Sequence, residues 1–259
     1  MINIELYADK NTFIHRVHPT AKIVSLILIF AQFLVFNAPL FILPEFVFLF
    51  VLVIISGTAK NIMKMWWVIL AFAIMSFLLW SIFIKEGAKV VEFAGISVTE
   101  NGLMYSASAV MRLTGMLLAG MVLIYTTRIE EIGYGLKNLG VPFRIAFSLM
   151  AAVRLLPVFL GAGAGIVDAQ ESRGLDLRGG SVIRRLRNYI PLLIPSFLYG
   201  MRNVTQLTIA LEARGFSSAH KRTSYLEIKI KPSDFIIMFS LAGIFLLSVS
   251  MRILGMGRL

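Results

Sequence analysis

The feature that most constrains this chain is a series of apolar runs, each about as long as a helix that crosses a lipid bilayer. The runs cover about residues 22–37, 39–56, 65–84, 103–126 and 233–254. A helix needs about 20 apolar residues to cross the hydrocarbon core, or slightly fewer when flanking side chains reach the interface. The sequence therefore predicts an all-α membrane protein with about five transmembrane helices.

Composition agrees with lipid as the main solvent and excludes several kinds of site. Hydrophobic residues make up 58% of the chain, too many for a soluble core of this size. The net charge of +11 lies beside or between the apolar runs, which favours a role in topology and acidic partners over nucleic acid. With no cysteine, and with His15, His18 and His220 scattered without supporting carboxylates, we expect no metal site and no cofactor.

The charges of the loops predict the orientation. Segment 57–64 holds two lysines and no acid, whereas segment 85–101 balances two lysines against three acids. By the positive-inside rule the first segment is cytoplasmic and the second lies outside. We therefore expect an inside N-terminus, retained because no signal-peptide pattern precedes the first run, and an outside C-terminus.

Two further apolar stretches, at about 145–167 and 189–211, are joined by an arginine-rich link. Residues 169–188 of this link hold five arginines against two acids, namely Arg173, Arg178, Arg184, Arg185, Arg187, Glu171 and Asp176. Crossing the membrane twice would place this link outside, against the bias of the other loops. We therefore interpret both stretches as amphipathic helical arms that stay on the cytoplasmic side.

This interpretation divides the chain into three parts. Residues 1–127 form an N-terminal four-span membrane region, 128–231 a cytoplasmic two-arm helical region, and 232–259 a C-terminal transmembrane helix. The middle part carries fifteen Lys and Arg against seven Asp and Glu, which suits the cytoplasmic surface.

A short internal repeat closes the two arms. Ala169-Gln170-Glu171-Ser172-Arg173-Gly174-Leu175 recurs as Ala210-Leu211-Glu212-Ala213-Arg214-Gly215-Phe216. A glycine just past a helix is a frequent terminator, and the preceding arginine then lies where the helix dipole favours a cation. Capping alone explains one such pair. Two copies at the ends of consecutive arms indicate a matched pair of binding groups.

Arginine suits insertion into an acidic groove, because its planar guanidinium pairs with carboxylates and stays charged when dehydrated. Two equivalent arginines suit a dimeric partner with two equivalent grooves. The candidate binding residues are Ser172, Arg173, Gly174, Ala213, Arg214 and Gly215, with Glu171 and Glu212 in support.

These motifs resemble those of the transmembrane T components of energy-coupling-factor (ECF) transporters, the EcfT/CbiQ family. That family carries two Ala/Ser-Arg-Gly motifs at the ends of cytoplasmic coupling helices, and Ser172 stands where alanine is frequent. Further similarities are His18-Pro19-Thr20-Ala21-Lys22, Leu136-Lys137-Asn138-Leu139-Gly140-Val141-Pro142 and Pro191-Leu192-Leu193-Ile194-Pro195.

The resemblance implies a non-catalytic subunit in the prokaryotic plasma membrane. It would bind two ABC-type ATPase subunits through a coupling-helix region and hold a substrate-binding S component. Motion driven by ATP would then release a vitamin or a metal ion inside. A dedicated cobalt, nickel or biotin subunit is an alternative.

Other functional classes fit less well. The sequence lacks the zinc motif H-E-x-x-H, the nucleophile elbow G-x-S-x-G and a Walker A loop, and its acids are too sparse for a lipid phosphotransferase. A channel or carrier needs polar spans, whereas we interpret these as apolar apart from Arg112 and a few Ser and Thr. Arg112 should face a cavity or the interior.

Two local patterns have plain structural interpretations. Pro19 and Lys22 indicate a helix start with a lysine whose amine snorkels to the interface. For Gly161-Ala162-Gly163-Ala164-Gly165, close packing of helices is favoured over a hinge.

The predicted orientation can be tested by cysteine labelling in intact cells, since the chain has no cysteine of its own. In a Glu92→Cys variant the thiol should react with an impermeant reagent. In a Gly180→Cys variant it should react only after the cells are opened. Strong outside labelling of Gly180→Cys would mean that both arms cross the membrane.

Overall fold

The computed structural model describes residues 12–85, 87–93, 96–177, 179, 181–216 and 230–257. In this part of the chain, local sequence sets the ends of nine α-helices. Proline occupies the first helical turn of α1, α2 and α9, where its missing N–H costs nothing. Arg178, Gly180 and His220 lie outside the described residues. The helices are α1 (Pro19–Phe33), α2 (Pro39–Ile55), α3 (Ala59–Lys64), α4 (Trp66–Phe83), α5 (Glu100–Thr126), α6 (Ile129–Asn138), α7 (Phe143–Ser172), α8 (Val182–Ala213) and α9 (Pro232–Ile253).

The predicted helical membrane class is confirmed, and the five predicted runs coincide with α1, α2, α4, α5 and α9. By length and composition, α4, α5, α7 and α9 can each cross a membrane, whereas α1 and α2 are apolar but shorter. At 15 and 17 residues, α1 and α2 extend only about 22 and 26 Å, less than a hydrocarbon core of about 30 Å. The cytoplasmic placement of α7 stays a prediction, based on the arginine-rich link.

The segment between α4 and α5 contains a two-stranded antiparallel hairpin, β1 (Lys89–Phe93) and β2 (Ile96–Thr99). The sequence analysis treats this segment only as a loop. A signal was present, because β-branched residues dominate both short runs and a glycine lies between them.

The chain divides into two compact units. One comprises Met1–Ala146 with Ile228–Leu259, and the other comprises Phe147–Glu227, which holds most of α7 and all of α8. The predicted three-part division at 128 and 231 assigns segments to the membrane or to the cytoplasm. Packing into compact units does not test this assignment, so the division stays a prediction.

Helix α5 is the centre of the first unit and packs against α1, α2 and α4. The buried core includes Phe33 and Phe36 from the end of α1 and its turn, with Leu49 from α2. Gly115 of α5 admits the Phe33 ring, since a Cβ at this position would collide with the ring atoms. The absence of a side chain at Gly115 therefore lets α1 approach α5 closely.

Arg112 of α5 satisfies the backbone at the end of α1. Its Nε donates to the Phe33 carbonyl at 3.0 Å, and its Nη2 donates to the Phe36 carbonyl at 2.8 Å and to Asn37 Oδ1 at 3.2 Å. The last carbonyls of a helix lack intrahelical partners, and inside a membrane no water replaces them. The expectation that Arg112 faces the protein interior is confirmed, and its role is to cap α1.

We predict opposite effects of alanine at two glycines of α5. Gly115→Ala should lower the free energy of unfolding, because the Phe33 ring must move, although alanine favours a helix by about 1 kcal/mol. The matched Gly120→Ala, where a Cβ would meet nothing within 4 Å, should be neutral or stabilising. Thermal unfolding of the detergent-solubilised protein, followed by the loss of its helical circular dichroism, measures both. Equal effects would contradict this packing.

Candidate functional site

The first copy of the repeat ends α7 in a Schellman motif. The N–H of Leu175 donates to the Gln170 carbonyl at 3.0 Å, and the N–H of Gly174 donates to the Glu171 carbonyl at 2.9 Å. Gly174 has a φ of +89°, in the left-handed region that favours glycine. Arg173 is therefore held at the C-cap, the position directly after the last helical residue.

The second copy ends α8 with the same two bonds. The N–H of Phe216 donates to the Leu211 carbonyl at 2.9 Å, the N–H of Gly215 donates to the Glu212 carbonyl at 2.9 Å, and Gly215 has a φ of +74°. Arg214 is the C-cap. The sequence repeat is thus also a structural repeat, with an arginine at the same position of the same motif.

Both arginine side chains are exposed, and neither makes a side-chain hydrogen bond or ion pair within the residues that the structure describes. The glycine after each arginine leaves no side chain to obstruct an approaching surface. The Ser172 hydroxyl donates to the Asp168 carbonyl at 2.9 Å, so it is turned back onto α7. Each guanidinium is therefore available to a partner.

Glu171 and Glu212 are exposed, and their backbone carbonyls accept the glycine N–H groups of the two motifs. This backbone role would be performed by any residue type. A supporting role of the two carboxylates stays a prediction.

Helices α7 and α8 run antiparallel. The rings of Phe147 and Phe216 lie 4.7 Å apart, those of Phe159 and Tyr199 lie 6.0 Å apart, and Asn188 Nδ2 donates to the Asp176 carbonyl at 2.6 Å. In these three contacts the residue numbers increase along α7 as those of their partners, toward and along α8, decrease, which defines the antiparallel direction.

The two arginines consequently lie toward opposite ends of this helix pair. Helix α8, with 32 residues, separates them, which is about 48 Å for a straight helix. Pro191 and Pro195 lie within α8 and interrupt its hydrogen bonds. This spacing was not accessible from the sequence, which predicts a pair but no distance.

The arms leave much apolar surface uncovered. On α8, Ile183 is 80% exposed and Phe197 is 69% exposed, whereas Leu192 is buried. Exposed apolar area on this scale indicates contact with lipid or with another protein.

The favoured interpretation of Gly161, Gly163 and Gly165 as close packing is wrong within the described residues, because a Cβ at any of them would meet nothing within 4 Å.

The segment His18–Lys22, which carries part of the family resemblance, meets α6 and α9 at one end of the first unit. Thr20 Oγ1 donates to the Gly135 carbonyl at 3.5 Å, and His18 Nδ1 accepts the Thr20 N–H at 3.1 Å, which caps α1. The Asp234 carboxylate of α9 accepts the His18 N–H at 3.2 Å. We call this cluster the α1–α6–α9 junction. Helix α6 of this junction directly precedes α7 in the chain.

Lys22 belongs to the same end of the unit, and the prediction that it snorkels is wrong. The side chain is only 7% exposed, and its Nζ donates to the Thr126 carbonyl at 2.7 Å and to the His15 carbonyl at 3.2 Å. The lysine instead joins α1 to the end of α5, where carbonyls lack helical partners. Sequence alone does not indicate that the start of α1 lies beside the end of α5.

Stability measurements should show that the glycines of the two motifs contribute to the free energy of unfolding and that the arginines contribute little. Arg173→Gln and Arg214→Gln should change the free energy of unfolding by less than about 0.5 kcal/mol, because both side chains are exposed and unpaired. Gly174→Ala and Gly215→Ala should cost about 1 kcal/mol or more, because their φ values are positive. Hydrogen exchange at the ends of α7 and α8 reports the fraying. Equal fraying in the arginine variants would assign the arginines a capping role only.

Comparisons with known proteins identify the family of this chain. The family model CbiQ, cobalt transport protein, matches residues 10–225, which include α1–α8. A relative from Exiguobacterium sibiricum, the energy-coupling factor transporter transmembrane protein EcfT, is 30% identical over 250 residues, covering 93% of this chain and 95% of the relative. Proteins of the same name from Clostridium kluyveri and Staphylococcus aureus are 29% and 26% identical, over 96% and 88% of this chain and 95% and 88% of their own lengths. This chain is a multi-pass bacterial membrane protein and belongs to the EcfT/CbiQ family.

Proposed function

We propose that this chain is the transmembrane coupling subunit of an ECF-type importer, which transmits the motion of two ATPase subunits to a substrate-binding S component. The observation that carries the proposal is the pair of equivalent helix ends, each presenting an exposed arginine at the C-cap of a Schellman motif, with no side-chain partner among the described residues. The name that the relatives share, energy-coupling factor transporter transmembrane protein, supports the same function.

The docking step follows from the chemistry of arginine. A guanidinium makes paired hydrogen bonds with a carboxylate and remains charged when water is excluded, so Arg173 and Arg214 each suit an acidic groove. Two ATPase subunits related by symmetry present two such grooves. The separation of the arginines by about the length of α8 supports a different ATPase subunit for each.

The coupling step depends on the two ends of the arms. ATP binding and hydrolysis change the distance between the ATPase grooves and therefore displace the arginine ends. In this proposal the displacement reaches the membrane unit through the chain connection from α7 to α6, which belongs to the α1–α6–α9 junction. The S component then reorients and releases a vitamin or a metal ion inside the cell.

The chain itself supplies no catalysis in this proposal. The sequence has no Walker A loop to hold nucleotide phosphates. Within the described residues, no group of three or more His, Asp and Glu is arranged to hold a metal ion. ATP hydrolysis and substrate recognition therefore belong to the partner subunits.

Reversing the charge at the helix ends tests the proposal. Arg173→Glu and Arg214→Glu should each reduce the ATPase that copurifies with the chain, and the double variant should abolish transport. Removing one partner of a buried charge pair costs about 2–5 kcal/mol, and a like charge in an acidic groove costs more. Copurified ATPase is measured per amount of membrane-inserted chain.

Arg202→Glu is the matched control, since Arg202 is exposed and lies within α8, away from its end. It should retain ATPase binding. An acid-to-arginine change in the ATPase groove should partly rescue Arg214→Glu. Wild-type ATPase binding and uptake in the double variant Arg173→Glu, Arg214→Glu would refute the proposal.

A further inference from the structure

Helix α6 lies directly on the first turn of α1 at Gly135, which is buried. A Cβ at this position would lie 2.9 Å from Ile23 Cδ1 and 3.1 Å from backbone atoms of Pro19 and Thr20. Contacts this short leave no room for a side chain unless the neighbouring atoms shift. The lack of a side chain at Gly135 therefore lets the backbone of α6 contact the backbone of α1 directly.

Helix α9 contacts the same end of α1 through Asp234. The Asp234 side chain is 1% exposed, and its carboxylate accepts the N–H of His18 at 3.2 Å and the N–H of Lys231, the N-cap of α9, at 2.8 Å. The body of α1 packs on α5 and α9. A displacement of the first turn of α1 therefore acts on the central helices of the membrane unit.

The connection from α6 to α7 is short and closed by its own hydrogen bonds. Helix α6 ends in a Schellman motif, in which the N–H of Val141 donates to the Leu136 carbonyl at 3.2 Å and Gly140 has a φ of +93°. The Pro142 carbonyl then accepts the N–H of Ile145 at 2.9 Å in the first turn of α7. We call residues 136–146 the α6–α7 elbow. Only residues 139–142 separate its two helices, which leaves little length in which a displacement of α7 could be absorbed.

Helix α7 begins within the membrane unit. Its first turn, Phe143–Ala146, belongs to the first compact unit, and the remainder belongs to the second. Ala146 is 1% exposed, and Lys137 Nζ of α6 lies 5.8 Å from the centre of the Phe143 ring, a cation–π contact. Helix α7 ends at Ser172, and Arg173 follows. One helix therefore connects the α6–α7 elbow to the first arginine end.

We infer that Gly135 is a positioning residue for energy coupling, because its contact with the first turn of α1 is the point at which displacement of α7 enters the membrane unit. A contact between two backbones contains no side-chain rotamer that could change and absorb the displacement. This role rests on the proposed function, in which the ATPases displace α7. A side chain at position 135 should therefore uncouple ATP hydrolysis from movement of α1.

Double electron–electron resonance on the complex of the chain with its ATPases and S component measures movement of α1. Because the chain has no cysteine, spin labels can be attached at Ile27→Cys of α1 and Ile74→Cys of α4, positions that are 59% and 51% exposed. The partner subunits are made without cysteine. The distance distribution should shift between the complex without nucleotide and the complex with ATP and vanadate, which traps the ATPases after hydrolysis.

A side chain at position 135 should reduce this shift according to its size. Gly135→Ala should lose part of the shift and Gly135→Val most of it, because each side chain pushes α6 away from Pro19 and Thr20. Ile23→Val removes the Cδ1 atom that the new Cβ would meet. The double variant Ile23→Val, Gly135→Ala should therefore recover part of the loss.

Gly163→Ala is the matched control. Gly163 lies within α7, and a Cβ there would meet nothing within 4 Å. This variant makes the same chemical change in the arm without touching the contact between α6 and α1. It should show the full shift.

ATPase binding and hydrolysis distinguish this role from a packing role and from the proposed function. Both Gly135 variants should keep wild-type ATPase binding and hydrolysis per inserted chain, since Arg173 and Arg214 are unchanged. A full shift in Gly135→Val would overturn the inference, as would a wild-type complex that hydrolyses ATP without a shift. Parallel losses of inserted chain, bound ATPase and shift in both variants would also overturn it, by assigning Gly135 a packing role only. All three results leave the proposed function in place, whereas a wild-type complex without ATPases would refute both.

Discussion

The absence of water inside a bilayer is the constraint on which the membrane unit depends. Every backbone group and every charge that enters hydrocarbon needs a partner within the protein. Arg112 meets this requirement by donating to the carbonyls of Phe33 and Phe36, where α1 ends before it has spanned a full hydrocarbon core. Lys22 does the same for the Thr126 carbonyl at the end of α5. Arg112 and Lys22 thus have structural roles, because each satisfies carbonyls at the end of a helix.

The arms differ from the membrane unit. The backbone groups at their ends are hydrogen-bonded within the same helix, while much of their apolar surface is exposed. Each Schellman motif closes the backbone of its own helix and leaves the arginine side chain outside. Each arm therefore ends in an exposed cation whose backbone position is fixed by its own helix end. This arrangement supports the proposed role of the arms in binding partner subunits.

Sequence reasoning predicted the features that depend on local pattern. The five apolar runs and the helix-ending glycines at Gly174 and Gly215 follow from hydrophobicity and backbone conformation, which neighbouring residues determine. It was wrong for Lys22, whose partner carbonyl is more than one hundred residues away in the chain. Glu45 was visible in the second run, but only the packing of the helices shows that its Oε2 is buried without a hydrogen-bond partner among the described residues. Features that depend on which helices meet were the ones that the sequence did not reveal.

The central claim is that two equivalent arginine ends engage two equivalent ATPase subunits. Native mass spectrometry of the complex, released from mild detergent, measures this stoichiometry directly. The account predicts one copy of this chain with two ATPase subunits and one S component. A complex with a single ATPase per chain, or two copies of this chain for each ATPase pair, would contradict it.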